Sequence, residues 1–225
     1  SNTVGYTSYP DNVVREFVRL SAEGGIDVFR IFDSLNWLPS MEVAIDEALK
    51  QNKFVEGTIC YTGEITDTSR NYTLKYYVDM AKELQKMGCH SIAIKDMSGL
   101  LKPYSAKVLV SGLKDALDIP IHLHTHDTTG NQVATTLMAA EAGVDIADLA
   151  ISSMSSLTSQ PSMNAVAAAL QGTERDTGLD LERLQFLTNY WEDVRKRYDS
   201  FEGGLQCNNA DIYRYEIPGG QYTNL

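Results

Sequence analysis

The chain has 225 residues, 43% of them hydrophobic and 22% charged, with a formal net charge of −11 at pH 7. Such a composition describes one ordered globular core and excludes a disordered chain. The acidic balance, with no basic patch to offset it, argues against nucleic acid or an anionic membrane as partner, and no apolar stretch reaches the ~18 residues that span a bilayer.

Taken in chain order, short apolar runs alternate with segments of helical period. Pro10-Asp11-Asn12 opens a helix carrying Val13, Phe17 and Leu20, and Val28–Phe32 reads as a first strand. Ser40 opens a helix with Met41, Ile45, Ala48 and Leu49, followed by a strand at Val55–Tyr61. Leu74, Tyr77, Val78, Ala81 and Leu84 share a helix face that stops at Gly88, before a strand at Ser91–Ile94. Pro103 opens a helix with Ala106, Leu109, Val110 and Leu113, leading to a strand at Ile119–Leu123. Val133, Leu137 and Ala140 form a further helix ending at Gly143, and Ile146–Ile151 is the last strand. Pro and Ser at helix starts and Gly at helix stops match terminus chemistry. Strands without clean alternation are buried on both faces, as in parallel sheets. The spacing of about 25–36 residues is that of βα units.

Five such units fit an α/β fold, a (β/α)₈ TIM barrel that is truncated, better than an open sheet, because neither GxGxxG nor GxxxxGK[ST] occurs. Residues 1–170 are expected to form the partial barrel and residues 171–225 a C-terminal helical extension, with Leu184, Leu187, Trp191, Val194 and Tyr198 on one long amphipathic helix. Ser1–Pro10 has no signal-peptide pattern. Cys60, Cys89 and Cys207 are scattered and odd in number, which suggests reduced thiols and a cytoplasmic location.

The strongest chemical signal is His124-Thr125-His126-Asp127, which lies 29 residues after Lys95 when counted from His124. Histidines at i and i+2 on a strand share a face, and neutral imidazoles bind divalent transition ions. Lys95 closes the preceding strand, so all three side chains are expected at one mouth of the sheet, where parallel α/β folds keep their active sites. An ammonium there would repel a cation. Lys95 therefore either binds an anionic substrate, or is carboxylated to a carbamate, or is simply a solvated strand end. His122 points the same way one layer deeper and reads as a buried hydrogen-bonding residue, and His90 as structural. Asp127 either orients a histidine or caps the next helix. Asp33 is a site candidate at the same mouth, and Arg30, inside an apolar run, needs a buried carboxylate. On residue type alone Tyr6, Tyr9, Trp37 and Trp191 are packing residues.

Longer segments carry a family resemblance: Val4-Gly5-Tyr6, Tyr9-Pro10-Asp11-Asn12, Asp27–Asn36, Ile94–Pro103, His122–Gly130, Thr158–Met163 and Glu216–Leu225. Together they resemble the carboxyltransferase domain of the pyruvate carboxylase family over essentially the whole chain. Oxaloacetate decarboxylase and transcarboxylase share the barrel and the metal motif. The resemblance implies carboxyl transfer from carboxybiotin to pyruvate, giving oxaloacetate. It implies a divalent metal, zinc or manganese, held by Lys95 (carboxylated), His124 and His126. It places Tyr6 in the pyruvate and biotin pocket and Met97 in the wall beside the lysine. It further implies a biotin carrier domain as partner, ATP consumption by a different domain, and a homotetrameric parent enzyme. The family's aspartate ligand in an Arg-Asp-Ala-His-Gln segment, its pyruvate-clamping arginine and its proton-shuttling threonine have no counterpart in these residues, nor does an Ala-Met-Lys-Met biotinylation site. The chain alone is thus expected to be inactive. The other readings are a carboxyltransferase of the decarboxylase or transcarboxylase type, a biotin-independent metal-dependent lyase or aldolase, and a non-catalytic structural fragment.

Overall fold

A computed structural model of the chain describes Thr3, Gly5, residues 7–203 and residues 205–217. In order it runs α1 (Asp11–Glu23), β1 (Val28–Ile31), α2 (Pro39–Lys50), β2 (Phe54–Cys60), α3 (Leu74–Lys86), β3 (Ser91–Asp96), α4 (Pro103–Ala116), β4 (Ile121–Thr125), α5 (Gln132–Glu141), β5 (Ile146–Ala147), α6 (Met163–Leu170), α7 (Leu181–Lys196) and α8 (Ile212–Tyr215). The five strands form one sheet in sequence order, and every neighbouring pair is parallel. This is a five-strand arc of a (β/α)₈ barrel, as the alternation predicts.

Register divides the sheet into two faces. Val55, Ile59, Ile92, Ile94, Ile121 and Leu123 point outward and join Ala81, Leu84, Leu109 and Leu113 from α3 and α4 in one core. Several of these are wholly shielded from solvent, and each such Leu or Ile is worth about 1.5–3 kcal/mol of apolar burial. Alternate positions point inward, and these include Arg30, Glu56, Thr58, Cys60, Ser91, Ala93, Lys95, His122 and His124. Polar residues are thereby gathered on the inner face while apolar ones hold the helices.

Gly88 and Gly143 stop α3 and α5 in left-handed conformations, φ +94° and +95°. Strand boundaries depart from expectation where the ladder decides them. β4 starts at Ile121 because Pro120 has no N–H, although its carbonyl still accepts from Ile92. β3 and β4 run on through Asp96 and Thr125, so Lys95 and His124 lie inside the ladder. β5 is shorter than expected. After Asp148 donates to the Leu123 carbonyl the chain turns away, and Ala150 pairs with Ser162 instead. On α7 the buried positions are Leu184 and Thr188, while Leu187 and Trp191 of the expected stripe stay exposed. Among the described residues no helix is long and apolar enough to cross a membrane.

Candidate active site

The C-terminal ends of β1 to β5 and their following loops build the mouth. Lys95 is paired with His124 across β3 and β4, and His126 follows just beyond the strand. The imidazoles of His124 and His126 lie nearly edge to face, and their Nε2 atoms are 3.3 Å apart. Each Nδ1 is anchored from behind, that of His124 on Asp148 at 2.8 Å and that of His126 on the Thr158 carbonyl at 2.6 Å. Both acceptors require a proton on Nδ1, which leaves both Nε2 lone pairs facing each other. Ligand distances of about 2.0–2.1 Å at tetrahedral angles separate two nitrogens by about 3.3–3.4 Å. The pair therefore fits a shared divalent cation. Burial holds His126 below the ordinary imidazole range despite its bond to Thr158, and His124 and Lys95 push in the same direction, which favours the neutral, ligating form.

Lys95 is half-buried, with Nζ 4.8 Å from the centre of the Phe32 ring. Among the described residues no carboxylate lies within ion-pairing distance of it. Burial pushes its ammonium below the ordinary lysine range, Arg30 adds to this, and Cys60 and Asp96 oppose it. Met97 is half-buried on the lip of the mouth and lines a cleft of about 240 Å³ with Asn36, Cys60, Tyr61, Tyr72 and Leu100. Tyr6 lies outside the described residues. Among the described residues no cluster of three or more His, Cys, Asp or Glu side chains is arranged to hold a metal. Among the described residues, two imidazoles and the adjoining lysine are the candidate ligands at the mouth.

Other expected candidates take structural parts. Asp127 accepts from the Gln132 N–H and caps α5, so it is not the residue behind the histidines. Asp33 accepts from the Leu35 and Trp37 N–H groups and shapes its own loop. His90 accepts the Val55 N–H on Nδ1 and packs on Phe54.

Asp148 was not singled out by sequence reasoning, and it is central. Its carboxylate accepts from His122 Nε2, His124 Nδ1 and Arg30 Nη1, each at 2.8 Å. Glu56 is almost fully buried and accepts from Arg30 Nε, from His122 Nδ1 at 2.9 Å and from Ser91 Oγ at 3.0 Å. Arg30 and His122 thus bridge the same two carboxylates in a closed ring. The available signal was the unmatched Arg30, together with the inward parity that Asp148 shares with Ile146.

Within this ring burial opposes charging of His122, but its bonds to Asp148 and Glu56 outweigh that and raise it to about 9. Its folded value lies above the ordinary 6.5. The His122 contribution to stability is therefore fully present below about pH 6.5 and is lost as pH rises through about 9, a loss of about 3 kcal/mol. Burial also opposes ionisation of Asp148, but its three donors prevail and hold it well below the usual carboxylate range. Its contribution is present above the usual aspartate value and fades only as pH falls further. Thermal unfolding across pH 6–10 should show the alkaline decline, and a His122→Asn variant should lack it. A wild-type curve parallel to that of the variant would contradict the assignment.

Outward-facing residues lock the two site strands together. The buried Asp96 carboxylate accepts from the N–H groups of Ser98, Leu100 and Leu101 and lies 3.0 Å from Thr125 Oγ1. Thr125 in turn lies 2.9 Å from Gln132 Oε1. Asp96 stands between Lys95 and Met97, and Thr125 between His124 and His126, so the brace sets the spacing of the inward residues. Gly99 completes it at φ +74°, where an added Cβ would fall 2.5 Å from the His126 carbonyl oxygen. A Gly99→Ala variant should lose about 2–4 kcal/mol, combining left-handed strain with a backbone clash. Urea unfolding measures this, and a change under half a kcal/mol would show a loop free to shift.

Parallel βα units whose strand-end side chains meet at one mouth are the arrangement of the α/β-barrel fold class. The chain belongs to the HMGL-like family, whose profile matches residues 39–190. It is similar to pyruvate carboxylase of Bacillus subtilis, with 54% identity over 226 residues covering 100% of this chain and 20% of that protein. Against human mitochondrial pyruvate carboxylase the identity is 49% over 229 residues, covering 100% and 19%. Among solved structures, the carboxyl transferase domain of Rhizobium etli pyruvate carboxylase with pyruvate and biocytin superposes with a TM-score of 0.96 at 52% identity, covering 98% of this chain and 37% of that one. The chain thus spans about a fifth of the length of the curated relatives it matches.

Proposed function

We propose that this chain is the metal-holding arc of a biotin-dependent carboxyltransferase that moves a carboxyl group from carboxybiotin to pyruvate, giving oxaloacetate. The observation that carries it is the pair of back-anchored Nε2 atoms 3.3 Å apart, beside a lysine with no counter-charge among the described residues. The likeness to structures of the carboxyl transferase domain supports the substrate pair.

His124 and His126 hold the ion, zinc or manganese, and Lys95 joins them as a carbamate. The depressed lysine favours the neutral amine, whose nitrogen attacks CO₂, forms the N–C bond and releases a proton to solvent. The modified lysine is then an anionic oxygen ligand instead of a repelling cation. When bound, the metal favours negative charge developing on pyruvate nearby. Met97 walls the pocket and keeps water from the reacting carbon, and Tyr6, outside the described residues, is assigned to the pyruvate and biotin pocket by the family resemblance alone. Biotin arrives on a carrier domain, ATP is used by another domain, and the parent is a cytoplasmic homotetramer. Residues 1–170 form the barrel portion and residues 171–225 the extension.

The test is oxaloacetate decarboxylation by the full-length protein with added free biotin. Turnover should vanish on chelation and return with Mn²⁺ or Zn²⁺, while intact mass reports the carbamate. A rate indifferent both to chelation and to Lys95→Ala would sink the proposal. The isolated chain, about a fifth of the length of the curated relatives, should be slower by about 10²–10⁴-fold, the contribution of a single acid–base group. Comparable turnover from chain and whole protein would show that the further segments are dispensable.

A further inference from the structure

We infer that Asp148 is a positioning residue for the metal-binding pair, acting as the outward arm of the charge ring it forms with Arg30, Glu56 and His122. This rests on reading His124 and His126 as metal ligands. The two histidines are oriented by different means. His126 leans on a backbone carbonyl, that of Thr158, which no substitution at that position removes. His124 leans on a side chain, and without Asp148 no other acceptor among the described residues reaches its Nδ1. If Nδ1 loses its acceptor the proton is free to occupy Nε2, and the ring can no longer offer a lone pair toward His126.

The ring explains why Asp148 stays in place. Its residue sits one step past β5, where it donates its N–H to the Leu123 carbonyl at 2.9 Å. One carboxylate oxygen takes His122 Nε2, and the other is shared by His124 Nδ1 and Arg30 Nη1. Glu56 secures Arg30 and His122 from the opposite side. Four strands, β1, β2, β4 and the continuation of β5, are joined through their inward side chains. The carboxylate therefore cannot swing away from His124 without breaking two further charged hydrogen bonds.

The experiment is Mn²⁺ binding to the full-length protein, read from the electron paramagnetic resonance of free Mn²⁺, with Co²⁺ absorption at saturating metal as a second readout. Asp148→Asn keeps the shape and one acceptor oxygen, which alanine would not, while it removes the charge that faces Arg30, His122 and His124. It should weaken Mn²⁺ binding about 10–100-fold and alter the Co²⁺ bands, and Asp148→Glu should recover part of the loss. Glu56→Gln perturbs the same ring without touching His124 and should have the smaller effect on binding. His124→Ala should abolish binding. Asp148→Asn binding Mn²⁺ like wild type, while His124→Ala does not, would overturn the inference. Equal losses in Asp148→Asn and Glu56→Gln would overturn it too, since they would reduce Asp148 to a general structural part. Wild-type binding by His124→Ala would instead bring down the metal reading on which the inference stands.

Discussion

A His126→Ala substitution in the full-length protein should remove bound metal and lower the carboxyl-transfer rate about 10³-fold or more, while the fold survives. Its side chain lies beyond the end of β4, is half-buried, and makes its anchoring bond to a loop carbonyl, Thr158, not to the core. Removal costs little packing but takes one of two imidazole donors from the site. Metal-assisted stabilisation of developing charge is worth several kcal/mol, and each 1.36 kcal/mol is tenfold in rate. Metal content, oxaloacetate decarboxylation and the unfolding midpoint should be measured on one preparation. Full activity with full metal content would remove His126 from the site, whereas loss of activity together with unfolding would assign it to stability.

Glu56→Ala should be the most destabilising change on the inner face, at about 3–5 kcal/mol. Glu56 is 4% exposed and compensates both Arg30 and His122. Deleting it leaves two cationic groups facing a single carboxylate, Asp148, and removes the partner of Ser91. A typical domain is stable by about 5–15 kcal/mol, so such a variant is marginal at best. Glu56→Gln should cost less, because its amide oxygen still accepts from one donor. Denaturant unfolding gives the number, and an alanine variant within about 1 kcal/mol of wild type, the range of surface ion pairs, would show that the ring contributes little.

Five parallel strands, their order, the helices between them and the inward face shared by Lys95, His122 and His124 were all legible in the chain before any coordinate. These follow from local rules: period-two alternation, helical spacing, Pro and Ser starts, and Gly stops. The extended segments pointed to the pyruvate carboxylase carboxyltransferase family, with which the matches to relatives agree. Less legible was anything set by where a strand leaves the sheet. β5 ends after two residues because its next partner is Ser162, a residue far along the chain. The exposed Leu187 and Trp191 on α7 show the same limit, since helical period tells which residues share a face but not what covers that face.

What the sequence determined by itself was the scaffold and the candidate donors, because hydrophobic period and residue chemistry are properties of neighbouring positions. What only the tertiary structure decided was how those donors are held. Asp127, beside the histidine pair in sequence, caps a helix, while Asp148, 24 residues from His124, accepts the hydrogen bond from its Nδ1. Glu56 meets His122 across 66 residues, and the Thr158 carbonyl, on which His126 leans, has no side-chain signature at all. Such partners are chosen by strand register and loop path, which bring distant inward positions to hydrogen-bonding distance, and spacing along the chain does not encode that meeting.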